Sequence, residues 1–391
     1  MSIILTKKQE EGLKICLERY YNGEKYTTIS GYAGTGKSTL VKFLVQALPV
    51  NEENVVYSTF TGKAAQVLMS KGNQNACTLH KLLYESIPRP DGSFLRKPVR
   101  DIGYQVVVVD EVSMVPKDMI ELLLRHHAYV IFLGDPFQLP PINKDSDNHL
   151  LDNPHIFLDE IMRQALDSEI IQLTLAIREG KNINHYQGKE VQVLNHNELN
   201  TGMLTWADQI ICGTNKTRVD INNQMRNLQG HDSLPEDWDK VICLRNYWDY
   251  FADNGDYLVN GTIGYVNNSY KTFNMIPPFF GGGKIDVFTA QFVSDTSANY
   301  GVLNMDMKQI LTGERALDSK TIYRLMRSKK YSSLVPMEFT YAYAITCHKA
   351  QGSQWNNVLV IEEKFPFAKE EHARWLYTAC TRAIDKLVIV R

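Results

Sequence analysis

The chain reads as an α/β protein built on parallel sheets around a phosphate-binding loop, and three observations predict it. Between residues 26 and 48 a β-branched run, a glycine-rich loop and an apolar run at helical spacing follow one another. Val106 to Val109 form an unbroken valine run that ends in Asp110 and Glu111. From 240 to about 335 the strand–helix alternation fails and short β segments replace it, so a β-rich insertion interrupts the second half.

The loop Gly31-Tyr-Ala-Gly-Thr-Gly-Lys37-Ser38-Thr39 fits the pattern Gly-x4-Gly-Lys-[Ser/Thr]. Tyr26 to Ser30 precede it as a strand, and Leu40, Val41, Leu44, Val45 and Leu48 follow at helical spacing until Pro49. Glycines let successive backbone N–H groups face a phosphate, and the helix N-terminus adds the positive end of its dipole. The loop residues Gly34, Thr35, Gly36, Lys37, Ser38 and Thr39 are therefore the expected nucleoside triphosphate cradle. Lys37 supplies a mobile charge, and the Ser38 hydroxyl can ligate Mg2+.

Composition sets the class. The chain has 391 residues, long enough for two or three domains, with 44% hydrophobic and 22% charged residues, as in globular proteins. No apolar run approaches membrane-spanning length, and MSIILTKKQE does not read as a signal peptide, so no membrane partner is expected. Six scattered cysteines without CxxC pairs argue against zinc and for a reducing cytoplasm, that of a host cell if the chain is virus-encoded. A net charge of −2 means that nucleic-acid binding must rest on local clusters.

In chain order, Leu5-Thr6-x-x-Gln9 opens a helix with Thr6 as N-cap. Asn54 to Thr59 is a strand, Thr61-Gly-Lys63-Ala-Ala starts a helix, and Thr78-Leu-His80-Lys-Leu-Leu starts another. Pro88, Pro90, Asp91-Gly92 and Pro98 mark residues 84–103 as a hairpin insertion, with Phe94 just past its turn. The valine strand is buried on both faces, and ligands of such sheets sit beyond the strands' carboxyl ends. There Asp110 can hold Mg2+ through water and Glu111 can orient or deprotonate an attacking water. Tyr129 to Leu133 is the next strand, ending in Gly134-Asp135-Pro-Phe-Gln138-Leu-Pro-Pro141, where Gln138 could sense a γ-phosphate or simply belong to a loop.

After 150 a second α/β unit is expected, with a helix at about 167–179 and a strand at 207–212. Val241–Leu244, Tyr257–Val266 with an Asn260-Gly261 turn, and Ile285–Val293 are the β segments of the insertion, and Gly281–Gly283 a flexible loop. Residues 306–330 carry Lys308, Arg315, Lys320, Arg324, Arg327, Lys329 and Lys330 against three acids: a solvated helix face or a phosphate-tracking one. The α/β pattern resumes with strands at Glu338–Ile345 and Val358–Ile361, a helix near 370–380 and a closing strand at Lys386–Val390.

In order, LTKKQ, GYAGTGKST, TGKAA, TLHKLL, VVVVDEVSM, GDPFQLPP, DEIMRQ, ITCHKAQGSQ and LYTACTRA resemble the motifs of superfamily 1 helicases, in the RecD-like and Dda-like branch. The resemblance implies two RecA-like motor domains, at 1–150 and at 151–240 plus 336–391, with a β-rich, SH3-like insertion at 241–335. It implies ATP and Mg2+ as cofactors, with Gln9 reading adenine, Gln351 and Gly352 at the nucleotide, and Arg163 and Arg382 as arginine fingers. Thr61, Lys63, His80, Thr346 and His348 would contact the strand. Apart from the resemblance, the prolines and Asp91-Gly92 make 84–103 a stiff hairpin whose Phe94 either stacks on a duplex junction or packs the hairpin onto its own domain. Phe60 stands where the family has proline, and Gln354 where it often has glutamate.

The expected activity is an ATP-dependent DNA helicase moving 5′ to 3′ along single-stranded DNA and opening duplex junctions, in DNA replication, recombination or repair. The expected form is a monomer able to act alone, with replication or recombination proteins as partners. Polarity comes from the resemblance alone. A translocase that strips proteins from DNA, and a motor or binding subunit of a larger recombination-nuclease complex, are the competing readings.

Overall fold

A computed structural model describes residues 5–70, 72–73, 75–88, 94–140, 147–162, 165, 167–184, 186–364 and 368–391, with backbone only at 70, 86–88, 94–96, 248 and 249. It forms two compact units. The first takes Met1–Leu83, Val99–Gly213 and Cys347–Arg391, and the second Tyr84–Pro98 and Thr214–Thr346.

The strands run β1 (Tyr26–Gly31), β2 (Val55–Thr59), β3 (Cys77–Thr78), β4 (Tyr84–Pro88), β5 (Phe94–Pro98), β6 (Val106–Val109), β7 (Tyr129–Gly134), β8 (Ile156–Leu158), β9 (Val191–Leu194) and β10 (Gln209–Cys212). They continue as β11 (Lys240–Cys243), β12 (Tyr247–Phe251), β13 (Tyr257–Leu258), β14 (Ile263–Met275), β15 (Lys284–Ser294), β16 (Asn299–Asp306), β17 (Phe339–Tyr341), β18 (Ala344–Thr346), β19 (Trp355–Ile361) and β20 (Ala383–Val390).

The first unit holds two parallel sheets. One has the order β3-β2-β6-β7-β1-β8. In the other, β19 lies between β10 and β20, and β20 pairs with β9. Residues 156–158, counted in the sequence reading with a second domain from 151 and assigned no strand there, form β8: Ile156 and Leu158 bury into the first sheet's core, and the strand pairs with β1 through Ile29↔Ile156 to Gly31↔Leu158.

Local chemistry explains the elements. The helix Lys7–Tyr21 opens with a capping box in which Thr6 and Gln9 exchange side-chain and backbone hydrogen bonds. The helix Lys37–Ala47 buries Leu40, Val41 and Leu44, then ends at Leu48, whose extended backbone suits the residue before Pro49. The valines of β6 are at most 1% exposed, as a strand covered on both faces requires. Fully buried Ile29, Leu40, Leu44 and Ile131 meet there, each contributing about 1.5–3 kcal/mol.

The second unit contains the antiparallel sheet β16-β15-β14-β11-β17, the pair β12–β13 and the hairpin β4–β5. The Asn260-Gly261 turn separates β13 from β14, with Gly261 at φ 94°. The turn between β14 and β15 includes Gly281–Gly283, all at positive φ. The hairpin turn, residues 89–93, and the side chain of Phe94 lie outside the described residues. Among the described residues no helix is long and apolar enough to cross a membrane.

Candidate active site

The carboxyl ends of β1, β6 and β7 bring the phosphate loop, the acidic pair and the Gly134-Asp135 turn to one edge of the first sheet. Gly34 and Gly36 adopt left-handed backbone, φ 76° and 78°, which side chains with a Cβ resist. A Cβ at Gly31 would lie 2.7 Å from the Thr35 hydroxyl and 2.8 Å from the Leu158 carbonyl, and one at Gly36 would collide with the Gln9 amide. Gly36 caps the helix Lys37–Ala47 without a side-chain acceptor, which leaves the leading N–H groups to the loop's concave face. The Lys37 ammonium donates to the carbonyls of Gly31 (2.6 Å) and Tyr32 (2.9 Å). Burial lowers its pKa, opposed by the charges of Asp135, Asp110 and Glu111. Ser38 is exposed at the second helical position, and Thr39 is half-buried.

Gln9 is 1% exposed and packs on the loop from behind. Its amide nitrogen faces the carbonyls of Thr35 and Gly36 (both 3.4 Å) and the Met162 sulfur, while its oxygen accepts from the Thr6 N–H (2.9 Å). The residue expected to read adenine thus ties the first helix to the loop.

Asp110 accepts a hydrogen bond from the Glu111 N–H at 2.8 Å. Glu111 itself sits at φ 55°, an uncommon left-handed conformation for a residue with a side chain, and such strain concentrates at functional sites. Although 21% of its side-chain surface is accessible, the packing around its carboxylate raises its pKa. Arg382 and the Gly352 N–H pull that pKa down, and Asp110 pushes it up. The Arg382 guanidinium is 3.7 Å from the Glu111 carboxylate. Arg382 also donates to the carbonyls of Thr378 (3.1 Å) and Ser353 (3.5 Å) and to the Thr381 hydroxyl (3.1 Å), which fixes its direction.

Gly352, at φ 81°, packs against two other expected residues: a Cβ there would lie 2.7 Å from the Thr61 hydroxyl and 3.3 Å from a Glu111 oxygen. Gln351 donates to the Leu139 carbonyl at 3.2 Å, and its own buried amide oxygen has no partner among the described residues. Gln138 is half-buried in the turn after β7, its N–H on the Asp135 carbonyl at 3.2 Å.

Two residues without an assigned role in the sequence reading prove central. The buried Tyr377 hydroxyl donates to Asp135 (2.6 Å) and accepts from the Ala33 N–H (2.9 Å), so it joins the phosphate loop to the turn after β7. Arg178, on the helix Glu169–Arg178, lies 3.5 Å above the ring of Tyr32 in the phosphate loop, a contact no motif signalled. Arg163 lies outside the described residues.

Of the expected strand contacts, the Thr61 hydroxyl accepts from the Ala64 N–H at 3.3 Å, and Lys63 is buried in the same helix start. His80 packs against Phe60, ring centroids 5.6 Å apart. Burial lowers the pKa of His348, which follows the first unit's re-entry at Cys347, whereas Thr346 closes the second unit.

Oxygen donors on Ser38 and Asp110, a glycine cradle that a Cβ would fill and a lysine beside the loop suit a magnesium-bound triphosphate. The family profile of an AAA domain matches residues 5–199, and that of the UvrD-like helicase C-terminal domain residues 341–390. The protein MJ1519 of Methanocaldococcus jannaschii is 27% identical over 93% of this chain, and the ATP-dependent RecD2 DNA helicase of Deinococcus radiodurans 25% identical over 93%. The chain spans only 36% and 46% of their lengths. The crystal structure of a Bacteroides Pif1 helicase with ADP-AlF3 and single-stranded DNA shares the fold, with TM-score 0.55 and 17% identity over 99% of this chain and 92% of that one. The two parallel sheets are RecA-like motor domains, and the antiparallel sheet is their β-rich insertion. With the motifs in order from Gln9 to Arg382, this chain belongs to the superfamily 1 helicases of the RecD, Pif1 and Dda family.

Proposed function

We propose that this chain is an ATP-dependent DNA helicase that moves 5′ to 3′ on single-stranded DNA and opens duplex. The observation that carries the reading is Arg382 held 3.7 Å from Glu111 while Gly352 packs on both Glu111 and Thr61. A hydrolytic carboxylate, an arginine of the last motif and an expected strand-contact residue thus meet at one point.

In this reading Lys37 and the loop N–H groups hold the β- and γ-phosphates, and Ser38 and Asp110 hold Mg2+, which would neutralise phosphate charge. Glu111 takes the proton of the attacking water, and Arg382 stabilises the charge that develops on the γ-phosphoryl group. Gln138 senses that group from the turn after β7, and Arg163 adds a second positive charge. Thr61, Lys63, His80, Thr346 and His348 grip the strand. The first motor domain extends to β8, and the polarity follows the family.

Two assays on the purified chain test this. ATP turnover should rise with single-stranded DNA and vanish in Lys37→Ala, and a 5′-tailed duplex should be opened where a 3′-tailed one is not. Turnover indifferent to DNA, or preference for the 3′ tail, would overturn the reading.

A further inference from the structure

The far end of the β14–β15 ribbon carries chemistry that the motor does not use. The ribbon's turn and the segment 319–331 are packed together around Ile276, Phe280, Leu317 and Leu325. Asn274 donates to the Leu334 carbonyl (2.9 Å) and Arg324 to the Phe279 carbonyl, which fixes one segment on the other. Residues 271–284 and 319–330 contain Lys271, Lys284, Lys320, Arg324, Arg327, Lys329 and Lys330 and no acid. Among the described residues only Lys271 of these pairs with a carboxylate, that of Asp286.

Aromatic rings lie between these cations and remain open to solvent: Phe273 is 54% exposed, Phe279 57% and Tyr323 41%. Lys284 lies 4.4 Å from the Phe273 ring centroid, Arg327 5.3 Å from that of Tyr323, and Lys330 5.2 Å from that of Tyr331. Phe279 stands edge-on to Tyr331 at 5.5 Å, so its ring is held by packing and yet mostly uncovered.

Cations alone suit any polyanion. Rings held at the surface between cations suit one whose charge alternates with flat apolar faces, which is single-stranded nucleic acid. A duplex hides its base faces, and an acidic peptide has none. We infer that this end of the insertion is a docking surface for single-stranded nucleic acid, separate from the residues of the helicase motifs. Phe273, Phe279 and Tyr323 stack on bases, and Arg327, Lys329 and Lys330 meet phosphates. The inference rests on the proposed function for its choice of strand, and it adds a second contact to the motor's own.

The test uses the full chain and a fluorescein-labelled oligothymidylate, with anisotropy followed across a salt series. Phe279→Ala should weaken binding roughly ten-fold, within the range of one lost stacking contact. Lys329→Ala with Lys330→Ala should flatten the slope of log affinity against log salt by about 1.4, the value for two phosphates on a single strand. Phe273→Ala serves as a second ring variant, because Phe279 also packs on Phe280 and Tyr331. ATP turnover at saturating DNA should stay at the wild-type level in all of them. Wild-type affinity and slope in every variant would overturn the surface while leaving the motor reading intact, whereas a wild-type chain that binds no strand would overturn the motor reading itself. If the variants instead weaken only a blunt duplex or polyglutamate, the assignment to a single strand is wrong.

Discussion

The Tyr377 hydroxyl donates to the Asp135 carboxylate at 2.6 Å, and both side chains are almost fully buried. Burial and the adjacent carboxylate push the phenol's pKa far above the usual tyrosine range, so it stays a donor at every working pH. Its oxygen also accepts the Ala33 N–H, so one atom links the last helicase motif, the turn after β7 and the phosphate loop.

Tyr377→Phe keeps the ring and its edge-on contact with Phe137 but strands the Ala33 N–H and one Asp135 oxygen. The expected cost is about 1–3 kcal/mol in urea unfolding, the penalty for a buried polar group left without its partner. ATP turnover by the folded variant should fall as the loop loses its tether. Unchanged stability would mean that water replaces the hydroxyl and that the link is dispensable.

Glu111→Gln separates chemistry from stability. Turnover should fall roughly 10²-fold or more, as when a general base is lost, with nucleotide binding retained. Burial raises the pKa of Glu111, so the wild-type carboxyl favours folding below its unfolded value near 4.5, and that advantage is lost as pH rises through the folded value. The glutamine variant should therefore gain on the wild type as pH increases across that window and hold its gain above it. Paired denaturation curves from pH 4 to 8 check the sign; a gain that shrinks with rising pH contradicts it.

Much of this was legible because local signals agreed. The strand–loop–helix context of Lys37, the valine strand before Asp110 and the capping pair Thr6 and Gln9 each follow from residue types at short spacing. What was missed depends on distant side chains. Glu338 to Ile345 reads as one strand, yet the structure breaks it into β17 and β18. The buried Asn222 amide donates to the Ala344 carbonyl (3.1 Å) and accepts the Ala344 N–H (2.9 Å), while the Ala342 N–H turns to Lys240. Asn267-Asn268-Ser269 resembles a strand end, but β14 runs on through an irregular register there, with Asn268 at φ 49°. Tyr377 and Asp135 lie 242 residues apart, and no spacing rule joins them.

Arg382→Ala should lower turnover by roughly 10³-fold, the lower end for an arginine that stabilises phosphoryl-transfer charge. A second readout tests the contact with Glu111. The arginine's charge holds the Glu111 pKa down, so its removal should raise that pKa further and move the acid limb of the pH–rate profile upward. Arg382→Lys should keep the limb near its original place. A limb that stays put in the alanine variant would show that the 3.7 Å approach carries no electrostatic weight.

The last prediction isolates the contact at Gly352 from the strain of its backbone. Gly352 and Gly230 share a left-handed conformation, φ 81° and 77°. An alanine at either position adopts that conformation at a cost of about 1–2 kcal/mol. Their surroundings differ: a Cβ at Gly230 meets nothing within 4 Å, whereas one at Gly352 meets the Thr61 hydroxyl, the Ala64 methyl and a Glu111 oxygen. Gly230→Ala should thus lower stability and leave DNA-stimulated turnover per folded molecule unchanged. Gly352→Ala should lower stability at least as much and also displace Glu111 and Thr61, so that both basal turnover and its stimulation by DNA fall. Equal turnover in the two variants would mean that the packing of Gly352 on the carboxylate and on the expected strand-contact residue does not transmit between them.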